Sequence, residues 1–204
     1  MAKKRGINPK DWFYSFKTSL KKRRRMVRQR LAGSVAEQWL NVEFFCWLQK
    51  TLRKSGLPYV TYNELRKTDA AVFCLDSGEI KWSKPIAVME AKAIYSAYNK
   101  GLIRKKIAGL LDQLEDRREV FPTARIFGLI YGIYAHWHGQ KRRDGTFGDY
   151  RRTIKMESLK IAEGRARLAK PCMERVLDAS DVSLAAGLKA HVGMCAQLVE
   201  LPKT

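Results

Sequence analysis

Asp69 and, one hairpin later, the triplet Glu90-Ala91-Lys92 are the residues of this chain whose types and spacing suit catalysis. Both lie in apolar runs. Ala70-Ala71-Val72-Phe73-Cys74-Leu75 follows the aspartate, and Ile86-Ala87-Val88-Met89 leads into the glutamate. A charged group in or beside a buried strand is costly unless something pairs with it, and a divalent metal ion is one such partner. Metal-assisted cleavage of a phosphodiester needs two carboxylates and a lysine. They serve to neutralise charge on the phosphorus oxygens, acidify a water, and orient that water or steady the pentacovalent oxyanion. Mg²⁺ keeps several waters and takes one or two protein carboxylates, so Asp69 and Glu90 are a sufficient donor set. Mn²⁺ would substitute, and the Ala91 carbonyl is a third oxygen. Glu64 or Asp76 would replace Asp69 if the strand register differed.

The elements that must position these groups follow from periodicity. Gly33 and Ser34 open a helix reaching about Lys54, closed by Ser55-Gly56 with Pro58 beyond. On its wheel Leu40, Phe44, Leu48 and Leu52 cluster within about 60° of Glu37, so this acid sits in the apolar stripe. Leu57–Tyr62 reads as a strand, 69–75 as a second, and 86–93 as a third. The midpoint between Asp69 and Glu90 falls within the Ser77–Trp82 turn, so an antiparallel hairpin sets the two acids side by side. The period of two puts Glu90 and Lys92 on one face. A second helix, 102–120, ends before Pro122, and a fourth strand spans 124–134. Residues 139–152 read as a basic loop, and 153–169 and 181–199 as helices. The expected fold class is α/β: a central mixed sheet flanked by helices. The expected organisation is a basic N-terminal arm (1–32), a core (33–138), and a basic loop with a helical C-terminal extension (139–204).

Gly33-(x3)-Glu37 on a first helix, Asp69 opening a strand and Glu90-x-Lys92 ending the next resemble the PD-(D/E)xK nuclease superfamily. Restriction endonucleases, Holliday-junction resolvases and RecB-type exonuclease domains belong to it. The resemblance covers about residues 33–135 and implies a restriction-endonuclease-like αβββαβ core, Mg²⁺ dependence and DNA as substrate. Asp69 and Glu90 match the metal-binding carboxylates, Lys92 the catalytic lysine, and Glu37 the first-helix acid of the resolvase-like branches. Gln113 matches a polar residue of the second helix that faces the site. Thr68 stands where the name-giving proline would be.

The 40 Lys and Arg against 20 Asp and Glu give +20, which favours a polyanionic partner: DNA first, RNA second. Residues 1–30 hold twelve of these cations and one acid, Asp11. Lys21, Lys22, Arg23, Arg24 and Arg25, with Trp12, Phe13, Tyr14 and Phe16 nearby, read as a phosphate-contacting arm. Lys100, Arg104 and Lys105 on the second helix and Lys141, Arg142 and Arg143 in the basic loop extend that surface. Tyr95 and Tyr98 suit base stacking or helix packing, and His136-Trp137-His138 a phosphate contact or a weak metal site. The cysteines read as reduced core residues. With neither a signal peptide nor a membrane span in view, the expected setting is cytoplasmic and nucleoid-associated, or nuclear in a eukaryote. A metal-dependent deoxyribonuclease is the leading expectation, with a homodimer or larger nucleoprotein complex open. A catalytically inactive nucleic-acid-binding subunit and a basic RNA-binding protein are the alternatives.

Overall fold

The apolar runs assemble into one open, mixed sheet with helices on both faces. The computed structural model describes residues 8–33, 36–56, 58–63, 68–76, 78–138, 145–170, 172–184 and 187–202. Glu64, Lys141, Arg142 and Arg143 lie outside them. In chain order the elements are α1 (Pro9–Lys22), α2 (Arg24–Gly33), α3 (Ala36–Lys54), β1 (Tyr59–Tyr62), β2 (Ala70–Asp76), β3 (Glu79–Ile80) and β4 (Ala87–Tyr95). They continue with α4 (Lys100–Val120), β5 (Arg125–Trp137), α5 (Phe147–Ala162), β6 (Arg167–Leu168), β7 (Glu174–Ser183) and β8 (Lys189–Glu200). Among the described residues the strand order is β1-β2-β4-β5-β8-β6, with β3 added to β2 and β7 to β8. β4 and β5 are parallel, joined across one face by α4, and the other ladders are antiparallel.

The expected succession of helix, three strands, helix and strand is present as α3, β1, β2, β4, α4 and β5, with the short β3 inserted. β4 carries apolar residues toward both faces. Ala87, Met89, Ala91 and Ala93 pack with α1–α3, while Val88 and Ile94 pack with α4 and α5. This is why its run shows no clean alternation. On β5, Gly128 lies opposite Glu90 and beneath α4. A Cβ there would come within 3.0 Å of Leu114, so glycine lets α4 settle close to the sheet.

Two expectations are overturned. Residues 1–32 are no separate arm over residues 8–32. Asn8 caps α1 by accepting from the Lys10 N–H, and Pro9 takes the first turn. Trp12, Phe13, Phe16, Leu20, Val27 and Leu31 are buried in the core. Burial of each large side chain stabilises by roughly 1.5–3 kcal/mol, and a buried ring has no open face on which a base could stack. Lys17 pairs with Glu174 of β7, and Tyr14 Oη donates to the Lys170 carbonyl at 2.7 Å, tying α1 to the C-terminal half.

Nor is the C-terminal part a helical extension. A helix does form, but at Phe147–Ala162, opened by a Thr146–Asp149 capping box. Residues read as the last helix are instead strands β7 and β8, and β8 pairs with β5 along most of its length. Ala190, Val192, Met194, Ala196 and Leu198 bury on one face, Cys195 and Val199 on the other. A strand covered on both faces loses its alternation, and Ala, Leu and Met then mimic a helix. Cys195 is the one buried cysteine; Cys46 and Cys74 are exposed, against expectation, and Cys172 is half-buried. Among the described residues no helix is long and apolar enough to cross a membrane.

Candidate active site

The site grows from a mismatch in strand length. β2 pairs with β4 as Ala70↔Met89, Ala71↔Val88 and Val72↔Ala87. One further step in this register sets Asp69 across from Glu90, as the hairpin arithmetic anticipates. β2 stops there, but β4 continues to Tyr95. Among the described residues, the edge of β4 facing β2 therefore has no strand partner beyond Met89, and unpaired peptide groups in a sheet need other partners.

Carboxylates supply them. The Ala91 N–H donates to Asp69 Oδ2 at 2.6 Å, and the Ala93 N–H donates to Glu37 Oε2 at 2.7 Å. In a strand the carbonyl of a residue leaves on the same edge as its N–H, so the Ala91 carbonyl opens on this notch too. α3 is docked over it by its first amide: Ala36 N–H donates to Tyr95 Oη at 3.1 Å. Glu37 thus occupies the first turn of α3, where the helix dipole favours an anion. Tyr95 packs against Tyr98 with ring centroids 5.4 Å apart, so it packs and caps a helix.

Lys92 rises from the other side of β4, and its ammonium reaches the open edge, 3.5 Å from Glu37 Oε1. The notch is where groups from both faces of the sheet meet. Asn41, one helical turn after Glu37, hydrogen-bonds Asp69. Burial pushes the Asp69 carboxyl above its ordinary range. The Ala91 N–H, Lys92 and Asn41 offset this only in part, and Glu37 adds to it. Tyr131 of β5, opposite Ala93, is 1% exposed, and among the described residues its hydroxyl has no hydrogen-bond partner. Burial, with the nearby charges of Asp69 and Glu37, holds its proton on well above the ordinary phenol range. Asn41 Oδ1 is likewise buried and, among the described residues, without a hydrogen-bond partner.

Glu90 is placed differently. It is 2% exposed and accepts a hydrogen bond from Arg117 Nε of α4 at 2.6 Å. Burial raises its pKa to about 7, even with the guanidinium beside it. Gln113, one turn before Arg117 on α4, is half-buried, and among the described residues its Oε1 has no hydrogen-bond partner. Among the described residues no three His, Cys, Asp or Glu side chains gather as a metal-ligating group. The donors at the notch are hard oxygens: Asp69, Glu90 and the Ala91 carbonyl, with Glu37 beside them. Such a set fits a hydrated Mg²⁺ or Mn²⁺, which takes few protein ligands, rather than a caged transition metal.

The basic residues divide. Arg23 is paired with Glu43 at 2.8 Å, and Lys100 and Arg104 reach the buried Glu157 at 3.5 and 2.5 Å. Lys21, Lys22, Arg24, Arg25 and Lys105 are exposed. Asp76, at the far end of β2 opposite Glu79, does not displace Asp69. His138 Nε2 and His191 Nδ1 lie 3.3 and 2.8 Å from Asp181 Oδ1, a surface cluster away from the notch.

Arg117, Asn41 and Tyr131 escaped the sequence reading. Arg117 and Asn41 each follow a singled-out residue, Gln113 and Glu37, by four positions, a spacing that marks a shared helix face. Tyr131 sits in an apolar run and carried no signal. No protein-family model matches the chain, and no curated protein matches it.

Proposed function

We propose that the chain is a metal-dependent nuclease hydrolysing phosphodiester bonds in DNA, built on a restriction-endonuclease-like core. The observation that carries this reading is the meeting of Asp69, Glu37 and Lys92, from three separate elements, at the unpaired edge of β4. In this reading Asp69, Glu90 and the Ala91 carbonyl would hold Mg²⁺, with Glu37 as an auxiliary acid beside them. When bound, the ion supplies positive charge to the phosphorus oxygens and lowers the pKa of water. Lys92, steadied by Glu37, orients the attacking water and stabilises charge on the phosphoryl oxygens. Asn41 keeps the Asp69 carboxylate turned to the notch. The exposed arginines of α2 lead along the chain toward Glu37 and give the phosphate backbone its contacts. The test is incubation of the purified protein with plasmid, single-stranded and branched DNA in Mg²⁺ or Mn²⁺. Cleavage that EDTA stops is the expected result, and intact DNA in every case overturns the reading.

One observation favours a second reading. Arg117 already supplies a cation to Glu90, as it would in a non-catalytic nucleic-acid-binding protein of the same fold. That protein would bind in a salt-sensitive manner without metal and would tolerate Lys92→Ala. Preference for structured RNA over DNA in competition would make it an RNA-binding protein.

A further inference from the structure

The end of the sheet opposite the notch carries a cavity of about 380 Å³ between the last turn of α4, the start of β5, β6 and the residues after β8. Three guanidiniums line it: Arg118 of α4, Arg125 opening β5 and Arg167 opening β6. Among the described lining residues one carboxylate faces them, Glu200. That carboxylate is engaged. Arg125 Nη2 donates to Glu200 Oε1 at 2.7 Å, and Lys10 Nζ of α1 stands 4.0 Å from Oε2. Arg118 lies near Glu115, but Arg165 already holds Glu115 through Nε at 3.1 Å and Nη2 at 2.8 Å. Among the described residues neither Arg118 nor Arg167 makes an ion pair with a carboxylate.

Gathered guanidiniums without counter-charge favour an anion, and their planar forks match phosphate oxygens bidentately. The volume lies at the lower end of small-molecule pockets, which is more than a bare phosphate needs. Pro122 and Pro202 add apolar wall against which a flat ring can rest. We propose that this pocket binds the phosphate monoester of a nucleotide, with Arg118 and Arg167 on the phosphate and Arg125 kept on Glu200. The phosphate belongs to a free nucleoside monophosphate or to the phosphorylated end of a DNA strand. Arg125 is level with Ala87 at the beginning of β4, away from Ala91 and Lys92, so this assignment stands independently of the nuclease reading.

Calorimetric titration of the full chain at fixed salt tests it, with deoxyadenosine monophosphate, deoxyadenosine, a 5′-phosphorylated hexanucleotide and its unphosphorylated twin. The phosphorylated ligand is expected to bind at least about tenfold more tightly than its unphosphorylated counterpart. Arg118→Ala with Arg167→Ala should erase that preference while the melting temperature stays within about 2 °C. Arg167→Lys, which keeps the charge and removes the fork, should weaken it about threefold and serves if the double variant does not fold. A preference confined to the hexanucleotide assigns the strand end, and one shared by the mononucleotide assigns the free ligand; both support the pocket. Equal binding of phosphorylated and unphosphorylated ligands overturns it. So does a preference that survives both substitutions, because the overall charge of the chain would then be its source.

Discussion

Glu90 and Glu157 are two enclosed glutamates, with side chains 3% and 2% exposed. Each accepts from an arginine Nε, at 2.6 and 2.5 Å. Their acidities nevertheless move in opposite directions. The Arg104 hydrogen bond, supported by Lys100 and Lys160, holds Glu157 below its ordinary pKa. Burial carries Glu90 up to about 7, Asp69 adds to the rise, and Arg117 and Lys92 do not cancel them. An arginine partner therefore does not by itself settle a buried carboxylate; the balance of charge and solvation around it does. In a chain of net charge +20, the notch is a place where carboxylates remain short of positive charge. Glu157 is held as an anion, whereas Glu90 keeps its proton to higher pH.

The sharpest way to break this contrast is at the lysine. Lys92→Ala should lower Mg²⁺-dependent DNA cleavage by about a thousandfold or more while binding and melting change little. A variant that cleaves normally would remove the notch from the chemistry. Next comes the arginine pair. Arg117→Ala should cost about 2 kcal/mol in urea unfolding, since Glu90 stays buried and loses its hydrogen bond, and Mg²⁺ should restore much of the loss. Arg104→Ala, with Lys100 still in place, should lower the urea midpoint less than Arg117→Ala does, and Mg²⁺ should restore none of the loss. Equal responses to Mg²⁺ would show that the two glutamates do not differ as described.

Stability against pH gives opposite signs. A raised carboxyl contributes stability that is present below its unfolded pKa and is lost as pH rises through the folded value. Metal-free protein should therefore lose up to about 3 kcal/mol from Glu90 between about pH 4.5 and 7. Glu90→Gln should flatten that window. Glu157 works the other way, its contribution lost as pH falls below the ordinary carboxylate range, so Glu157→Gln should leave the pH 4.5–7 slope unchanged. The smallest effect is expected at Gly128→Ala, about 1 kcal/mol, as Leu114 and Leu110 give way and α4 shifts from the sheet. If the shift loosens Arg117, Glu90 should titrate still higher, readable by carboxyl NMR.

Asp69 beside Glu90 was legible because antiparallel register is simple arithmetic on a short turn, and Glu37 because helix period is regular. The grip of Arg117 on Glu90 was not. It depends on how closely α4 lies on β5, which in turn depends on Gly128, a residue without a side chain to draw notice. The aromatic residues of α1 were misread because base stacking and core packing ask for the same residue types. Asn8-Pro9 was the local signal of a helix start there. β8 was misread because a central strand, buried on both faces, carries no period of its own.

The early stop of β2 has a consequence for how this site can be lost. Were β2 to start two residues earlier, Thr68 would come opposite Ala91 and its carbonyl would take the amide that Asp69 now holds, so the ladder would run on across the notch. Asp69, Glu37 and Lys92 would all remain in the sequence, yet the opening they share would be gone. What keeps the notch is therefore the length of a strand as much as the identity of any side chain. A change near Thr68 that lengthened β2 would seal it while altering no acid or lysine.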